Sequence, residues 1–228
     1  HVDEPGIDSL IQNYINESKI SFTNNLKNSK SSIFLICVGT PVDDSKNTNN
    51  NYLLNALKDI SLNLKCGDLV IIRSTVGLGT TRNIIIPELE NSSGLKVGEN
   101  LFVSFSPERT VQGNSLYEIE NLPQLVSGYS QNCLEKAIDF WSKITNSVIK
   151  MDSLEACELA KLANNSYRDL TFAFSNGISQ VCDFYQIDSE KLITSINEGY
   201  PRSTIPKPSP GVGGYCLTKD PYILAGSD

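Results

Sequence analysis

Residues 32–41 read SIFLICVGTP, an apolar run closed by Gly39, Thr40 and Pro41. Continuous apolar runs of this length, bounded by turn residues, are typical of strands buried on both faces of a parallel sheet. Similar runs predict four further strands, at 69–73, 101–105, 124–127 and 147–150. Helices are predicted between them, around 52–64, 80–89 and 131–144. Because strands that alternate with helices form βαβ units, the sequence predicts an α/β fold with a parallel sheet.

Polar residues follow three of the predicted strands, at the points where the strands end. They are Thr40, Ser74, Thr75 and Glu108. Ligands of parallel sheets bind at the carboxyl ends of the strands, so these residues predict a binding site at that edge. Turn and helix-cap chemistry, in which Ser and Thr are common, is an equally good explanation of each residue taken singly.

A long helix is predicted from Asp152 to about Tyr185, with Asp152 as N-cap and Glu155 as its partner acid. About 34 helical residues span ~50 Å at 1.5 Å per residue, and a helix of this length usually braces two domains or packs against a second subunit. Lys161 and Asn165 lie four residues apart and therefore share one face. From spacing alone, a solvated lysine beside a neutral asparagine is the favoured interpretation.

The segment 211–221 reads GVGGYCLTKDP and combines glycines with a cysteine, a lysine and an acid. Lys219 and Asp220 follow Cys216 by three and four residues, and a nearby cation or helix N-terminus favours thiolate over thiol. The segment therefore indicates a reactive cysteine. A buried structural cysteine beside a Gly-rich turn is the alternative, since free cysteines are commonly buried.

Composition excludes several classes of function. The 228-residue chain has a net charge of −7, which argues against nucleic acid or an anionic membrane as partner. No apolar run approaches the ~18 residues of a membrane span. The six cysteines form no CxxC or metal-like spacing, so we expect reduced thiols, a cytoplasmic protein and no metal site. His1 is the only histidine, which excludes Ser-His-Asp and Cys-His mechanisms.

Taken together and in this order, seven segments resemble the UDP-glucose/GDP-mannose dehydrogenase family of NAD-dependent nucleotide-sugar dehydrogenases. The segments are EPG 4–6, VGTPVD 38–43, STVGLGTT 74–81, SPER 106–109, KLANNSY 161–167, YPR 200–202 and GVGGYCLTKDP 211–221.

The resemblance implies the C-terminal half of a Rossmann-like parallel sheet, followed by a long central helix and a helical dimerisation region. Residues 1–150 would form a partial NAD-binding domain, and residues 151–228 a central helical domain that carries the cysteine loop. The family's opening strand with its GxGxxG turn and its C-terminal UDP-binding domain have no counterpart in the sequence. We therefore expect the chain alone neither to bind NAD tightly nor to turn over.

The resemblance also implies a four-electron oxidation of the C6 hydroxyl of a nucleotide sugar to a uronate, with NAD as cofactor. Cys216 matches the nucleophile, which forms a thiohemiacetal with the aldehyde and then a thioester that water hydrolyses. Lys161 would stabilise oxyanion charge, Asn165 would hold the same oxygen or the water, and Asp220 would assist proton handling.

Further residues receive roles from the same resemblance. Glu108 matches the family's acid near the hydrolytic water. Thr40 and Thr75 match cofactor contacts, and Thr75 is also a candidate to orient water. Substrate contacts are implied for Arg202, Gly213 and Gly214, together with Glu108, Lys161 and Asn165.

One position bears on the substrate. The UDP-glucose branch carries a second glutamate four residues after the first, and Gln112 stands there in this chain. Glu108-Arg109 followed by Gly113 is more similar to the branch that acts on UDP-N-acetylmannosamine and related acetamido sugars. We expect such a UDP-sugar as substrate, with UDP-glucose as the alternative, polysaccharide biosynthesis as the role, and a homodimer formed through helix 152–185.

Two other interpretations remain open at this point. Hydroxyacid dehydrogenases of the 6-phosphogluconate type also pair a lysine with an asparagine four residues later on a long helix, but they use no cysteine. A non-catalytic oligomerisation module would explain the long helix without assigning any role to Lys161, Asn165, Cys216 or Asp220.

Overall fold

The computed structural model describes residues 4–26 and 29–226, which form two compact units. One unit combines the described residues up to Pro41 with Thr48–Leu159. The other combines Val42–Asn47 with the described residues from Ala160 onward. His1, on which the exclusion of histidine chemistry depends, lies outside the described residues.

All five predicted strands are present; four of them are slightly shorter than predicted, and the fourth in chain order is one residue longer. They are β1 (Ile33–Ile36), β2 (Leu69–Ile72), β3 (Phe102–Phe105), β4 (Gln124–Gly128) and β5 (Val148–Lys150). The first unit also contains α1 (Ile7–Asn16), α2 (Asn51–Ser61), α3 (Ile86–Ser93), α4 (Ser115–Asn121) and α5 (Gln131–Trp141). A π-helical turn at Thr81–Ile85 runs directly into α3. The α/β fold class is therefore confirmed.

The five strands form one sheet in the order β1-β2-β3-β4-β5, and β1, β2 and β3 are parallel. The prediction of a wholly parallel sheet is wrong at β4, which runs antiparallel to β3 through the pair Phe105 and Ser127. The helix α4 between these strands buries none of its residues, so it does not cover a sheet face as a crossover helix does. β5 is again parallel to β4.

The core of the first unit lies on both faces of the central strands, because β2 and β3 are buried along their whole length. α5 packs on β3 and β4, and α2 packs against α3. Leu53, Leu57, Leu89 and Trp141 from these helices are at most 1% exposed. This core holds the carboxyl ends of β1, β2 and β3 in fixed positions.

The long helix α6 spans Leu154–Tyr185, 32 residues, beginning in the first unit and continuing in the second. Its predicted N-cap at Asp152 is wrong by one residue. The Ser153 hydroxyl accepts from the Ala156 amide at 3.0 Å, because a cap side chain reaches the N–H three residues later. Gln186, with φ of 57°, takes the left-handed conformation that ends the helix.

Two shorter helices complete the second unit, α7 (Ser189–Asn197) and α8 (Asp220–Ala225). The Asp188 side chain caps α7 by accepting from the Lys191 amide at 3.0 Å. Among all described helices of the chain, none combines the length and hydropathy required to cross a membrane. The described residues also contain no group of three or more His, Cys, Asp or Glu side chains arranged to hold a metal ion.

Candidate active site

The first group of candidate residues lies in the loops that follow β1 and β2. Thr40 is buried, and its hydroxyl donates to the backbone carbonyl of Thr75, which is half-buried. The Ser74 hydroxyl donates to the Val38 carbonyl at 2.7 Å. These bonds tie the two loops together, so both threonines occupy a rigid edge of the sheet. Because each loop is joined to the other, the edge is preorganised before any ligand arrives.

Glu108 lies three residues beyond β3 at the same edge and forms an ion pair with Arg73, the residue that follows β2. The Glu108 carboxylate also accepts from the backbone amides of Arg109 and Thr110, each at 2.8 Å. Burial alone would raise the pKa of Glu108. The charge of Arg73 and the hydrogen bonds from Thr110 and Arg73 outweigh burial, so the pKa of Glu108 lies below its ordinary value. Glu108 is therefore ionised near neutral pH.

The segment that follows Glu108 is held by Glu4, a buried acid more than 100 positions earlier in the chain. Its carboxylate accepts from the Gly113 and Ser115 amides, each at 2.7 Å, and from the Ser115 hydroxyl at 2.9 Å. Burial opposes the charge, but these hydrogen bonds prevail and lower the pKa of Glu4. The sequence indicated Glu4 only as part of the family-like EPG segment, since nothing local reveals a partner so far away.

Glu158 is a buried acid that sequence analysis missed. It is 1% exposed, and its carboxylate accepts from the Gly79 amide at 2.6 Å and the Thr81 amide at 2.8 Å. These amides belong to the start of the π-helical turn after β2, where unpaired N–H groups need acceptors. Burial nevertheless raises the pKa of Glu158 above its ordinary value. Glu158 thus joins the start of α6 to the loop that carries Thr75.

The second group of candidate residues lies in the second unit, where a buried network joins α6 to α8. The Asn165 amide donates to the Asp220 carboxylate at 2.6 Å. The other oxygen of Asp220 accepts from the Lys219 ammonium at 2.8 Å. All three residues are buried, and Asp220 is completely so. A paired and hydrogen-bonded ion pair of this kind fixes the geometry of the segment around it.

Cys216 lies in the turn that leads into this network. Its backbone carbonyl accepts from the Asp220 amide at 2.9 Å and from the Lys219 amide at 3.2 Å, and its thiol is exposed. The structural alternative of a buried cysteine is therefore wrong. An exposed thiol within one turn of a buried Lys–Asp pair can act as a nucleophile on a bound substrate.

The remaining candidates of the second unit are less enclosed. Lys161 is half-buried on α6, one turn before Asn165. Arg202 is exposed, and its Nε donates to the Tyr200 hydroxyl at 2.9 Å while its guanidinium stacks over the same ring. Apart from their neighbours in the chain, no atom of the described residues lies within 4 Å of where a side chain at Gly213 or Gly214 would begin. The glycine segment therefore leaves its backbone open to a ligand.

Comparison with known proteins identifies the family of this chain. Residues 1–145 match the NAD binding domain of the UDP-glucose/GDP-mannose dehydrogenase family, and residues 155–227 match its central domain. The chain belongs to this family. The hydroxyacid dehydrogenase interpretation is thereby set aside, and the family assignment made from the seven sequence segments is confirmed.

Several members of the dehydrogenase family are similar over nearly the whole chain. A UDP-N-acetyl-D-mannosamine dehydrogenase of Campylobacter jejuni is 33% identical over 98% of this chain and 56% of its own length. A UDP-N-acetyl-D-glucosamine 6-dehydrogenase of Pseudomonas aeruginosa is 33% identical over 96% of this chain and 53% of its own. The structure of a UDP-D-ManNAc dehydrogenase from Pyrococcus horikoshii matches with a TM-score of 0.93 at 30% identity, covering 99% of this chain and 54% of that chain. The chain thus spans about half the length of these family members.

The described residues fit the NAD that this family's first domain binds. β1, β2 and β3 are parallel, and the loops at their carboxyl ends are tied together by Thr40 and Ser74. Dinucleotides bind at this edge of a Rossmann-like sheet. Thr40 and Thr75 lie at this edge.

Proposed function

We propose that the protein containing this chain is an NAD-dependent nucleotide-sugar 6-dehydrogenase that oxidises the C6 hydroxyl of its substrate to a carboxylate. The observation that carries the proposal is the Asn165–Asp220 hydrogen bond, because it joins the Lys161/Asn165 helix face to the Cys216 loop within one unit. Family membership supplies the reaction class.

Bound NAD would supply the hydride acceptor for both oxidation steps. The chain's own residues act on the sugar. Cys216 Sγ, as thiolate, adds to the C6 aldehyde and forms a C–S bond, and the carbonyl electron pair moves to oxygen as an oxyanion. Lys161 and the Asn165 amide would stabilise that oxyanion or hold the attacking water. Asp220 would hold Asn165 in position and assist proton handling.

Hydrolysis of the resulting thioester needs a proton acceptor for water. We assign this role to Glu108, because its ion pair with Arg73 keeps it as a carboxylate. Water adds to the thioester carbonyl while one of its protons passes to Glu108, the C–S bond breaks, and the Cys216 thiolate leaves. Thr75 would orient this water, and Arg202, Gly213 and Gly214 would contact the nucleotide sugar.

For the substrate we propose a UDP-linked N-acetylhexosamine, with UDP-N-acetylmannosamine first. Gln112 stands where the UDP-glucose branch has a glutamate, and the relatives described above act on acetamido sugars according to their names. We further propose a cytoplasmic enzyme that serves polysaccharide synthesis, since nucleotide-linked uronates are activated building blocks.

A homodimer through α6 is also proposed. The helix exposes seven large apolar side chains, namely Leu159, Tyr167, Leu170, Phe174, Val181, Phe184 and Tyr185. Three of them line an apolar groove of about 460 Å³ together with Ile205 and Pro206. Exposed apolar patches of this kind mark protein contacts. Size-exclusion chromatography with light scattering would show twice the monomer mass for the wild type. The Phe174→Asp variant would show a lower mass.

The decisive experiment counts NADH formed per sugar consumed by the natural protein that contains this sequence. We expect two NADH per UDP-N-acetylmannosamine for the wild type, and loss of the acid product in Cys216→Ser. UDP-glucose serves as the competing substrate. Cys66→Ser is the matched control, because Cys66 is also an exposed thiol but lies outside both groups of candidate residues.

One NADH per turnover, unaffected by Cys216→Ser, would leave a simple alcohol dehydrogenase and overturn the cysteine mechanism. Preference for UDP-glucose over the acetamido sugars would overturn the substrate assignment only. No turnover of any nucleotide sugar by the natural protein would overturn the proposed function itself.

A further inference from the structure

Arg73 is a buried cation at the carboxyl end of β2, with only 6% of its surface exposed. Besides the Glu108 carboxylate, its guanidinium contacts the Ser106 carbonyl at 3.3 Å and Gln124 Oε1 at 3.4 Å. Its Cζ lies 4.5 Å from the centre of the Trp141 ring. A buried arginine is rare unless its donors are satisfied, and here the side chain is held on several sides.

The groups around Arg73 are themselves fixed. Trp141 is 1% exposed on α5, so its ring is a rigid surface on which the guanidinium stacks. Gln124 donates through its own Nε2 to the Pro107 carbonyl at 3.1 Å and to the Leu125 carbonyl at 2.9 Å. The Gln124 oxygen is thereby directed at Arg73. The guanidinium can present its donors to Glu108 in few other orientations.

Glu108, by contrast, is half-exposed, with 46% of its side chain accessible. A carboxylate with this freedom could rotate away from a reacting water. One Glu108 oxygen accepts from the Arg109 and Thr110 amides, and the other is the one that pairs with Arg73. The two sets of bonds together fix both the position and the plane of the carboxylate.

We propose that Arg73 is a positioning residue for Glu108, fixing the orientation and the charge of the carboxylate that takes the proton from the hydrolytic water. The inference rests on the proposed function, in which Glu108 has that role. It adds a residue that none of the seven family-like segments includes. In the sequence, Arg73 is only the last residue of a predicted strand.

Three ionisable groups of the described residues lie close to Glu108. Arg73 comes from the end of β2, Cys37 follows β1, and Arg109 is next to Glu108 in the chain. The Arg109 guanidinium donates to the Pro123 carbonyl at 3.0 Å. Burial raises the pKa of the Cys37 thiol, with Arg73 opposing and Glu108 reinforcing the shift. Arg73 is therefore the cation that holds Glu108 ionised, which agrees with the lowered pKa of Glu108.

The test compares Arg73→Met and Arg73→Lys, because methionine removes the charge while lysine retains it without the fork of donors. The first readout is the titration of the Glu108 carboxyl carbon by carbon-13 NMR, assigned by its absence in Glu108→Gln. We expect the midpoint to rise by about one pH unit or more in Arg73→Met and by less in Arg73→Lys. Trp141 fluorescence and circular dichroism check that each variant is folded.

The second readout is the pH profile of kcat with the nucleotide sugar. We expect the acidic limb to move to higher pH in Arg73→Met, with kcat lower by about 10- to 100-fold and KM nearly unchanged. Arg82→Met is the matched control, since Arg82 also pairs with a glutamate, Glu155, and stacks on an aromatic ring, Tyr129. It should leave both readouts at their wild-type values.

An unchanged Glu108 titration in folded Arg73→Met would overturn the proposal, whatever the activity. A shifted titration with an unmoved acidic limb would also overturn it, because Arg73 would then act on a carboxylate that the reaction does not use. Absence of nucleotide-sugar oxidation in the wild type would instead overturn the proposed function, and the NMR titration would still decide whether Arg73 controls Glu108.

Discussion

The Asn165 amide donates to the Asp220 carboxylate at 2.6 Å, although the two residues are 55 positions apart in the chain. Asp220 is completely buried and also pairs with Lys219. The bond therefore attaches the segment after Cys216 to a fixed point on α6. We expect both the stability of this unit and the position of the cysteine loop to depend on this bond.

Asp220→Ala is expected to lower the free energy of unfolding by about 3–5 kcal/mol, because it leaves the buried Lys219 ammonium without its paired carboxylate. Chemical denaturation of wild type and variant measures the difference. The double variant Lys219→Met, Asp220→Leu removes both charges and should recover much of the loss. An Asp220→Ala variant as stable as wild type would show that the ion pair does not hold this loop.

Thiol reagents should distinguish the six cysteines by exposure. We expect Cys37, Cys66 and Cys216 to react in the folded protein, because these residues are exposed, with Cys37 reacting more slowly because partial burial raises the pKa of its thiol. Cys133, Cys157 and Cys182 are buried, and burial raises the pKa of Cys157 to about 12, so these should react only on unfolding.

Titration with a chromogenic disulfide, before and after denaturant, counts the two classes. Mass mapping of the labelled peptides identifies them. Rapid labelling of Cys157 in the native protein would contradict the packing of α6 described here.

Glu158 should make the protein less stable as pH rises. Its pKa is raised on folding, so between the ordinary glutamate pKa and the raised value the folded state binds more protons than the unfolded state. The free energy of unfolding therefore decreases through that window. Glu158→Gln does not titrate, and the stability advantage of wild type over this variant should shrink from about pH 4.5 upward. Urea denaturation at a series of pH values measures it, and a constant difference would count against the assignment.

Glu4 should show the opposite dependence. Its pKa is lowered on folding by hydrogen bonds from the 113–116 segment, so its contribution is present above the ordinary glutamate pKa and is lost as pH falls through the folded value. The advantage of wild type over Glu4→Gln should therefore disappear in acid. Glu17→Gln is a suitable control, since Glu17 is exposed and pairs only with the nearby Lys19 within the described residues. Equal acid sensitivity of wild type and Glu4→Gln would refute the prediction.

Local sequence patterns identified the five strands, the long helix and the exposed cysteine loop, because each depends on residues close together in the chain. They did not reveal the direction of β4, because the apolar pattern of a buried strand is the same whichever way the strand runs in the sheet. Asp152 and Ser153 are adjacent residues that can both cap a helix, which explains why the N-cap was misplaced by one position.

The contacts that organise the candidate residues could not be found in this way. Arg73 and Glu108 are 35 positions apart, and Thr81 and Glu158 are 77 apart. Such pairs arise from the folding of the sheet and carry no periodicity. Resemblance to a family supplied residue roles at the matching motifs, but Arg73 and Glu158 lie between those motifs.

Because β4 runs antiparallel to β3, the connection from Ser106 to Pro123 begins and ends at the same edge of the sheet. It leaves the sheet after β3 and re-enters at the first residue of β4, on the same rim, where Gln124 meets Arg73. A parallel β4 would have forced this stretch to cross to the opposite rim. Because the two ends of this connection lie close together, the connection can change in length or sequence without altering the strands. Glu108 and Gln112, to which we assign roles in hydrolysis and in substrate choice, both lie within this connection.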